Sequence, residues 1–468
     1  MAIKFGTDGW RAIISDEFTF PNVRIVAQAI ADYIKLNKLS KKGVVIGYDP
    51  RFLADKFAEE TAKVMLTNDI PCIMMDKDTP TPVVAFTAKD RNTAGAVMVT
   101  ASHNPPQYCG MKFISGNGGP ASTNITKQIE ENVQKIKEVP VKTGHNIERF
   151  NPYNRYFKHI ETIVDFDVIR KAKLKIAYDP LWGTGRNYLD RILQEAGCQV
   201  TMIHDRRDVL FGGITPEPIE KNLTELSQIV KEGGFDIGLS TDPDADRFGI
   251  VDEKGGFITA NQAIAVLFSY LLEARKESGS VVRSVATTHM VDAVAKRNGI
   301  KLWETPVGFK YIAEIMLREP VVIGGEESGG MSISDHVPEK DGLLAGLLVC
   351  EMVARSKKPL SEIVKEAEGK YGSFVNKRVN MKLPKESKEL IIRSLEDSPP
   401  KVIAGLKLAN TSMLDGVKMM FTDGSWILAR PSGTEDLVRT YYESSDDKKV
   451  NAMISDFQNY VNSNVKLS

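Results

Sequence analysis

Cysteine is scarce in this 468-residue chain: Cys72, Cys109, Cys198 and Cys350 stand far apart and form no CxxC pair. That spacing argues against a disulfide framework or a thiolate zinc site, and predicts reduced, mostly buried thiols in a cytoplasmic protein. Charge of one sign is also missing, because 61 Lys and Arg balance 61 Asp and Glu. A zero net charge disfavours a nucleic-acid partner that is bound through a broad basic footprint. No apolar run reaches membrane-spanning length, and the opening Met1-Ala2-Ile3-Lys4-Phe5 has no signal-peptide core, so no membrane is expected. Neither the P-loop pattern GxxxxGKS/T nor GxGxxG occurs, which leaves nucleotide-fuelled chemistry without support.

What the chain does have is a repeated supersecondary unit. Gly43 to Tyr48-Asp49-Pro50 reads as a strand, followed by an amphipathic segment near Lys56–Thr67 and a strand at Cys72–Met75. Leu174 to Tyr178-Asp179-Pro180 repeats that ending before a helix at Tyr188–Ala196 and a strand at Gln199–Ile203. A weaker copy runs from a strand at Ser284–Thr288 through a helix at Val291–Arg297 to a strand at Ile300–Trp303. Strand, helix and strand is the βαβ unit of a parallel or mixed sheet. Copies spaced by roughly 110–130 residues suggest related domains. The expected class is α/β, with three related mixed α/β domains at 1–150, 151–255 and 256–370. A smaller α+β domain follows at 371–468, with strand-like runs at 416–421, 425–429 and 438–443 and a helix at 448–461. Pro140–Pro152 reads as a linker.

Four polar loops follow apolar runs, and such strand-end loops are where open α/β sheets bind ligands. The first is Thr100-Ala101-Ser102-His103-Asn104-Pro105. A serine alcohol needs a base, a metal or a positioned charge to act as a nucleophile. The second loop, Asp242-Pro243-Asp244-Ala245-Asp246-Arg247, sets carboxylates at alternate positions, from which three hard oxygens can converge on Mg²⁺. An EF-hand would need glycine at its sixth position, where Arg247 stands. The third, Gly325-Glu326-Glu327-Ser328-Gly329-Gly330, offers groups that grip hydroxyls, although glycine-rich polar turns are often only turns. In the fourth, Arg430-Pro431-Ser432-Gly433-Thr434-Glu435, an Arg and two hydroxyls could cradle a phosphate or belong to a plain hairpin turn.

In order, together with Phe5-Gly6-Thr7-Asp8-Gly9-Trp10-Arg11, these motifs resemble those of the α-D-phosphohexomutases, over nearly the whole chain. The resemblance implies four domains around a central cleft, each supplying one loop. It makes Ser102 the phosphoryl carrier, with Mg²⁺ on Asp242, Asp244, Asp246 and the Ser102 phosphate. The phosphoserine would donate to a hexose phosphate, and a bisphosphate intermediate would turn over before the other phosphate returned. Glucose 1,6-bisphosphate is then the expected activator. His103, Lys112 and Arg11 resemble the groups near the reacting phosphate, with His103 equally suited to holding the loop. Glu326, Ser328, Lys310 and Arg247 are implied for the sugar, and Arg430, Ser432, Gly433 and Thr434 for its phosphate. A monomer or homodimer is expected.

The sugar loop, with Ser334-Asp335-His336 and Glu339-Lys340-Asp341-Gly342, resembles the phosphoglucomutase form. Interconversion of glucose 1-phosphate and glucose 6-phosphate is the first expectation. Phosphomannomutase or phosphoglucosamine mutase activity is the alternative, and a metal-dependent sugar phosphatase a more distant one. Two departures stand out. Gly330 replaces a histidine of several relatives, so Lys112 or His336 would have to carry the proton; Asp436 replaces a proline after Ser-Gly-Thr-Glu.

Overall fold

The computed structural model describes residues 3–464 apart from 7, 143, 145, 383–384 and 433–436. Four sheets follow one another along the chain. In the first, the strands Val44–Tyr48, Cys72–Met75 and Gly95–Val99 pair in parallel. Trp10–Ile13 and Tyr108–Ser115 join antiparallel at one edge. Glu148–Phe150 adds a parallel strand at the other edge, inside the stretch read as a linker. The second sheet centres on Lys175–Asp179, parallel to Gln199–Met202 and Ile237–Thr241.

The third sheet corrects the sequence reading. Its central strand is Ser280–Ser284, earlier than the expected Ser284–Thr288, and its edge strand is Leu302–Thr305. Arg283 disguised this strand: a buried guanidinium sits in mid-strand, held by Asp292 at 2.6 Å and Glu304 at 2.6 Å. The fourth sheet is wholly antiparallel, from Val375–Lys382 through Leu437–Ser444, Trp426–Pro431 and Val417–Phe421 to Leu406–Ser412 and Val402–Ile403.

One apolar core runs without a break through the first three units, from Val45 and Met98 through Tyr156 and Leu239 to Ile264 and Leu344. Its axis is the helix Gly342–Ser356, buried from Gly342 through Ala354. A helix that is apolar on all sides is stable only inside. Asp341 caps it, accepting from the backbone N–H of Leu343 and Leu344 at 2.9 Å each. The fourth sheet closes a separate core with the helices Lys385–Asp397 and Asp447–Asn464. It meets the third unit through a small patch of Val285, Ala286, Trp426, Leu428 and Tyr441. All four cysteines are buried and unpaired, and among the described residues no helix is long and apolar enough to cross a membrane.

The repeated Tyr-Asp-Pro ending has a physical role. Asp49 accepts from the Arg51 N–H at 3.0 Å, and Asp179 from the Leu181 N–H at 2.8 Å, so each aspartate turns the chain as it leaves a parallel strand.

A histidine pair staples the first three units together. His159 stacks on Phe86 and His336, and its Nε2 lies 3.0 Å from His336 Nδ1. The other His336 nitrogen lies 2.9 Å from Asp341 Oδ2, which also accepts from the Tyr156 hydroxyl at 2.6 Å. Burial, reinforced by His336, lowers the His159 pKa from 6.5 to about 4. Between those values the unfolded chain takes up a proton that the folded chain refuses. The stability held above pH 6.5 is therefore lost as the pH falls towards 4. Urea midpoints should decline over that window, and less steeply in His159→Phe.

Candidate active site

The phosphoserine-like loop leaves the strand Gly95–Val99 in a strained turn, with Ser102 at φ 51 and 1% exposed. Arg51, fully buried, holds that turn. Its guanidinium donates to the carbonyls of Ser102, Asn104, Pro105 and Tyr108 at 2.5–2.9 Å and pairs with Asp49 at 3.1 Å. Thr100 Oγ1 donates to Asp49 Oδ2 at 2.6 Å while accepting from the Ser102 N–H at 2.8 Å. Arg11 donates to Asn104 Oδ1 at 2.7 Å, tying the first strand to the same loop. Arg51 is the main omission of the sequence reading; its signal was the repeated Tyr-Asp-Pro, with an arginine following in the first copy.

The Ser102 hydroxyl donates to Asp242 Oδ2 at 2.8 Å, and His103 Nδ1 lies 3.3 Å away. The His103 pKa is held well below its ordinary value by desolvation and by Arg247, Arg11, Arg51 and Lys112, so the ring is neutral near pH 7. Asp242, Asp244 and Asp246 are all buried, with ligand oxygens within 4.8 Å of one another. Burial, with Asp244 and Asp246 beside it, pushes the Asp242 pKa well up. Among the described residues, Asp244 Oδ1 and Asp246 Oδ1 are buried without a hydrogen-bond partner. Such a cluster, with two carboxylate oxygens left over, fits a hard divalent cation such as Mg²⁺.

Three elements fasten the aspartate loop. Thr81 donates its hydroxyl to Asp244 Oδ2 at 2.7 Å. The Gly342 N–H donates to the Ala245 carbonyl at 3.0 Å, and the Phe248 N–H to the Gly329 carbonyl at 3.1 Å. The loops from the first three units therefore share one wall.

Two ammonium groups answer the carboxylates. Lys112 reaches Asp244 at 2.9 Å, Asp246 at 3.0 Å and Asp8 at 3.0 Å. Burial works against its charge, but these three carboxylates outweigh it and raise the Lys112 pKa. Lys340 reaches Glu339 at 3.1 Å, Asp246 at 3.2 Å and Asp8 at 3.6 Å. A Cβ on Gly330 would meet the Lys340 stem at 2.4 Å, so the glycine makes room for this lysine. Lys340, read from sequence only as part of a sugar-type run, thus enters the site across the missing side chain. His336 instead lies in the staple described above. Gly9, at φ 87, lets the N-terminal turn press onto the Met111 carbonyl and so brings Asp8 to both lysines.

The Glu326 loop joins this wall through Gly329, and Arg430 lies near the end of a strand of the fourth sheet. Glu326, 5% exposed, accepts from the Gly308 N–H at 2.7 Å. Burial raises its pKa against the opposing charge of Lys340 and Arg247. The Arg247 N–H donates to Asp242 Oδ1 at 3.0 Å, while its guanidinium lies 3.4 Å from Glu217. Ser328 lines a cavity of about 170 Å³, with Glu217, Phe248, Glu327, Arg378 and Tyr441. Lys310 stands two residues after Gly308 and lays its ammonium over the Tyr311 ring at 5.2 Å. Arg430 donates to Asp415 Oδ2 at 2.7 Å, and that oxygen also accepts from the Val307 N–H at 2.9 Å. Ser432 is buried beside it; Gly433 and Thr434 lie outside the described residues.

Replacing Arg51 by Met leaves Asp49 buried beside carbonyls that have lost their donor. A loss of about 3–5 kcal/mol is expected, the cost of breaking a buried ion pair. Urea denaturation measures that cost, and activity should fall with the loop geometry even where the variant remains folded.

Comparison with known proteins finds four successive family matches along the chain. Four phosphoglucomutase/phosphomannomutase family models match in sequence: α/β/α domain I over residues 2–140, domain II over 154–256, domain III over 259–371 and the C-terminal domain over 379–459. A phosphoglucomutase/phosphomannomutase of Thermococcus kodakarensis is 31% identical, over 96% of each chain. A phosphoglucosamine mutase of Acetivibrio thermocellus is 30% identical, over 95% of this chain and 96% of that one. The crystal structure of a provisionally named phosphomannomutase from Thermus thermophilus superposes with a TM-score of 0.88 at 33% identity, covering 98% of this chain and 99% of the other. The chain belongs to the phosphoglucomutase/phosphomannomutase family of phosphotransferring enzymes.

Proposed function

We propose that the chain interconverts the 1-phosphate and 6-phosphate of a hexose or hexosamine, with Ser102 as the phosphoryl carrier. The observation that carries this reading is the 2.8 Å bond from the Ser102 hydroxyl to Asp242, inside a cluster of three buried carboxylates. Asp242, Asp244 and Asp246 would hold Mg²⁺, which when bound neutralises charge on the phosphoryl oxygens.

The remaining work is positioning and charge placement, which is most of what phosphoryl transfer asks of a protein. Arg51 fixes the serine's backbone, and Arg11 fixes the asparagine two residues on. Lys112 and Lys340, held charged by the carboxylates around them, would hold positive charge beside the transferring group. Glu326 and Ser328 are offered to the sugar hydroxyls. Arg430 and Ser432, with Gly433 and Thr434, are offered to the phosphate that is not reacting. Lys310 and Arg247 would contact the sugar, and neutral His103 would support the serine loop. A bisphosphate such as glucose 1,6-bisphosphate would start the cycle by phosphorylating Ser102.

For the sugar, glucosamine phosphate is the leading reading. It is supported by the names of most relatives compared, that of Acetivibrio thermocellus among them. Glucose phosphate is the second reading, favoured by the Glu326-Glu327-Ser328-Gly329-Gly330 loop and by Lys340 over Gly330.

Ser102→Ala should abolish both mutase turnover and the uptake of phosphate from labelled bisphosphate while the circular dichroism is unchanged; full activity in that variant would reassign the carrier. Removing divalent metal with EDTA should stop turnover, and Mg²⁺ should restore it. Comparing kcat/KM for glucosamine, glucose and mannose 1-phosphates orders the sugars. Steady phosphate release without any isomer would mark a phosphatase instead.

A further inference from the structure

One charged group at the cleft has no role in the scheme above. Arg378 lies on the strand Val375–Lys382 of the C-terminal sheet and reaches back to two other units of the molecule. Its guanidinium is 3.7 Å from Glu217 of the second unit and 3.9 Å from Glu327 of the sugar loop. Both distances exceed a hydrogen bond, and the side chain is 33% exposed, so these are loose, water-accessible pairs. The same Glu217 oxygen also receives Arg247 at 3.4 Å. Two guanidiniums thus share one carboxylate oxygen, an arrangement that leaves most of their donors uncommitted.

The sheet register shows what else is nearby. Arg378 pairs with Tyr441, and Arg439 lies two residues from Tyr441 on the same face. Arg439 in turn stands directly opposite Arg430. Three guanidiniums therefore share one sheet face, and Arg378 and Tyr441 both line the cavity. Like charges at facing positions are destabilising. Asp415 answers Arg430 on one side; on the other, the glutamates only partly answer Arg378.

We infer that Arg378 is an additional ligand for the substrate's phosphate, kept in the cleft by Glu217 and Glu327 until a sugar phosphate takes it from them. The inference rests on the phosphohexomutase reading and adds a residue to it. A phosphate dianion offers several acceptor oxygens to a planar fork, where each carboxylate now offers one oxygen beyond bonding distance. The exchange is also selective: an unphosphorylated sugar brings nothing to displace the glutamates. Glu217 and Glu327 set how tightly the substrate must bind to win Arg378.

The test uses two substitutions with opposite expected signs. Binding of glucose 1-phosphate and glucosamine 1-phosphate is measured by calorimetry in EDTA, where no turnover occurs, and KM and kcat are measured with Mg²⁺. Arg378→Gln should raise Kd and KM by roughly ten- to a hundredfold, as expected for the loss of a charge-assisted contact. Its kcat should change far less, because this phosphate is held alike before and during transfer. Glu217→Gln should lower Kd, since it releases Arg378 to the ligand. If Arg378 is only a clasp between units, both substitutions should shift binding in the same direction, which would overturn the inference. Unchanged binding in Arg378→Gln would overturn it too. Should the unaltered protein bind neither sugar phosphate, the reading of the whole site fails, a result distinguishable from either of these.

Discussion

Three carboxylates cannot be buried together without positive charge among them, and much of this molecule is arranged around that requirement. Asp242, Asp244 and Asp246 arrive on one short loop, yet the charges that answer them come from elsewhere in the chain. Lys112 belongs to an antiparallel strand of the first unit and Lys340 to the turn before the central helix. Asp8, at the far N-terminus, bridges the two ammonium groups. A divalent ion would complete the neutralisation and use the two orphaned oxygens. The first three units are therefore joined twice, by a continuous apolar core and by charge that none of them could balance alone.

The Ser102 loop poses the opposite problem, since its polar groups are backbone carbonyls and its turn is strained. Arg51 solves this with one planar side chain that donates to four carbonyls and pairs with Asp49. A lysine could not reproduce that fan of donors. The serine's position is thus set by a residue far earlier in the chain, which also lies 5.0 Å from the Phe211 ring of the second unit.

Much of the site was legible because its chemistry is local. Alternate aspartates, a serine after an apolar strand and an arginine beside two hydroxyls each declare themselves within a few residues. The supporting groups were not legible, because their partners lie far away in sequence. Arg51, Glu217 and Arg378 belong to no local motif, and Lys340 entered only as part of a run that marks the sugar type. Elements were missed for a related reason. Ser280–Ser284 hides a buried arginine whose partners come from Asp292 and Glu304. Val375–Lys382 mixes charged and apolar positions because one face meets the domain core and the other meets the cleft. Pro140–Pro152 looked like a linker, although Glu148–Phe150 needs only the open edge beside Cys72–Met75 to become a strand.

The fourth sheet fills its own interior and leans on the rest through a small apolar patch and a few ionic contacts. Nothing comparable separates the first three units, which share packed atoms from end to end. Under denaturant, the C-terminal unit is accordingly expected to open as a distinct foldon, ahead of the first three units. Amide protons in its strands would then report the seam rather than global opening.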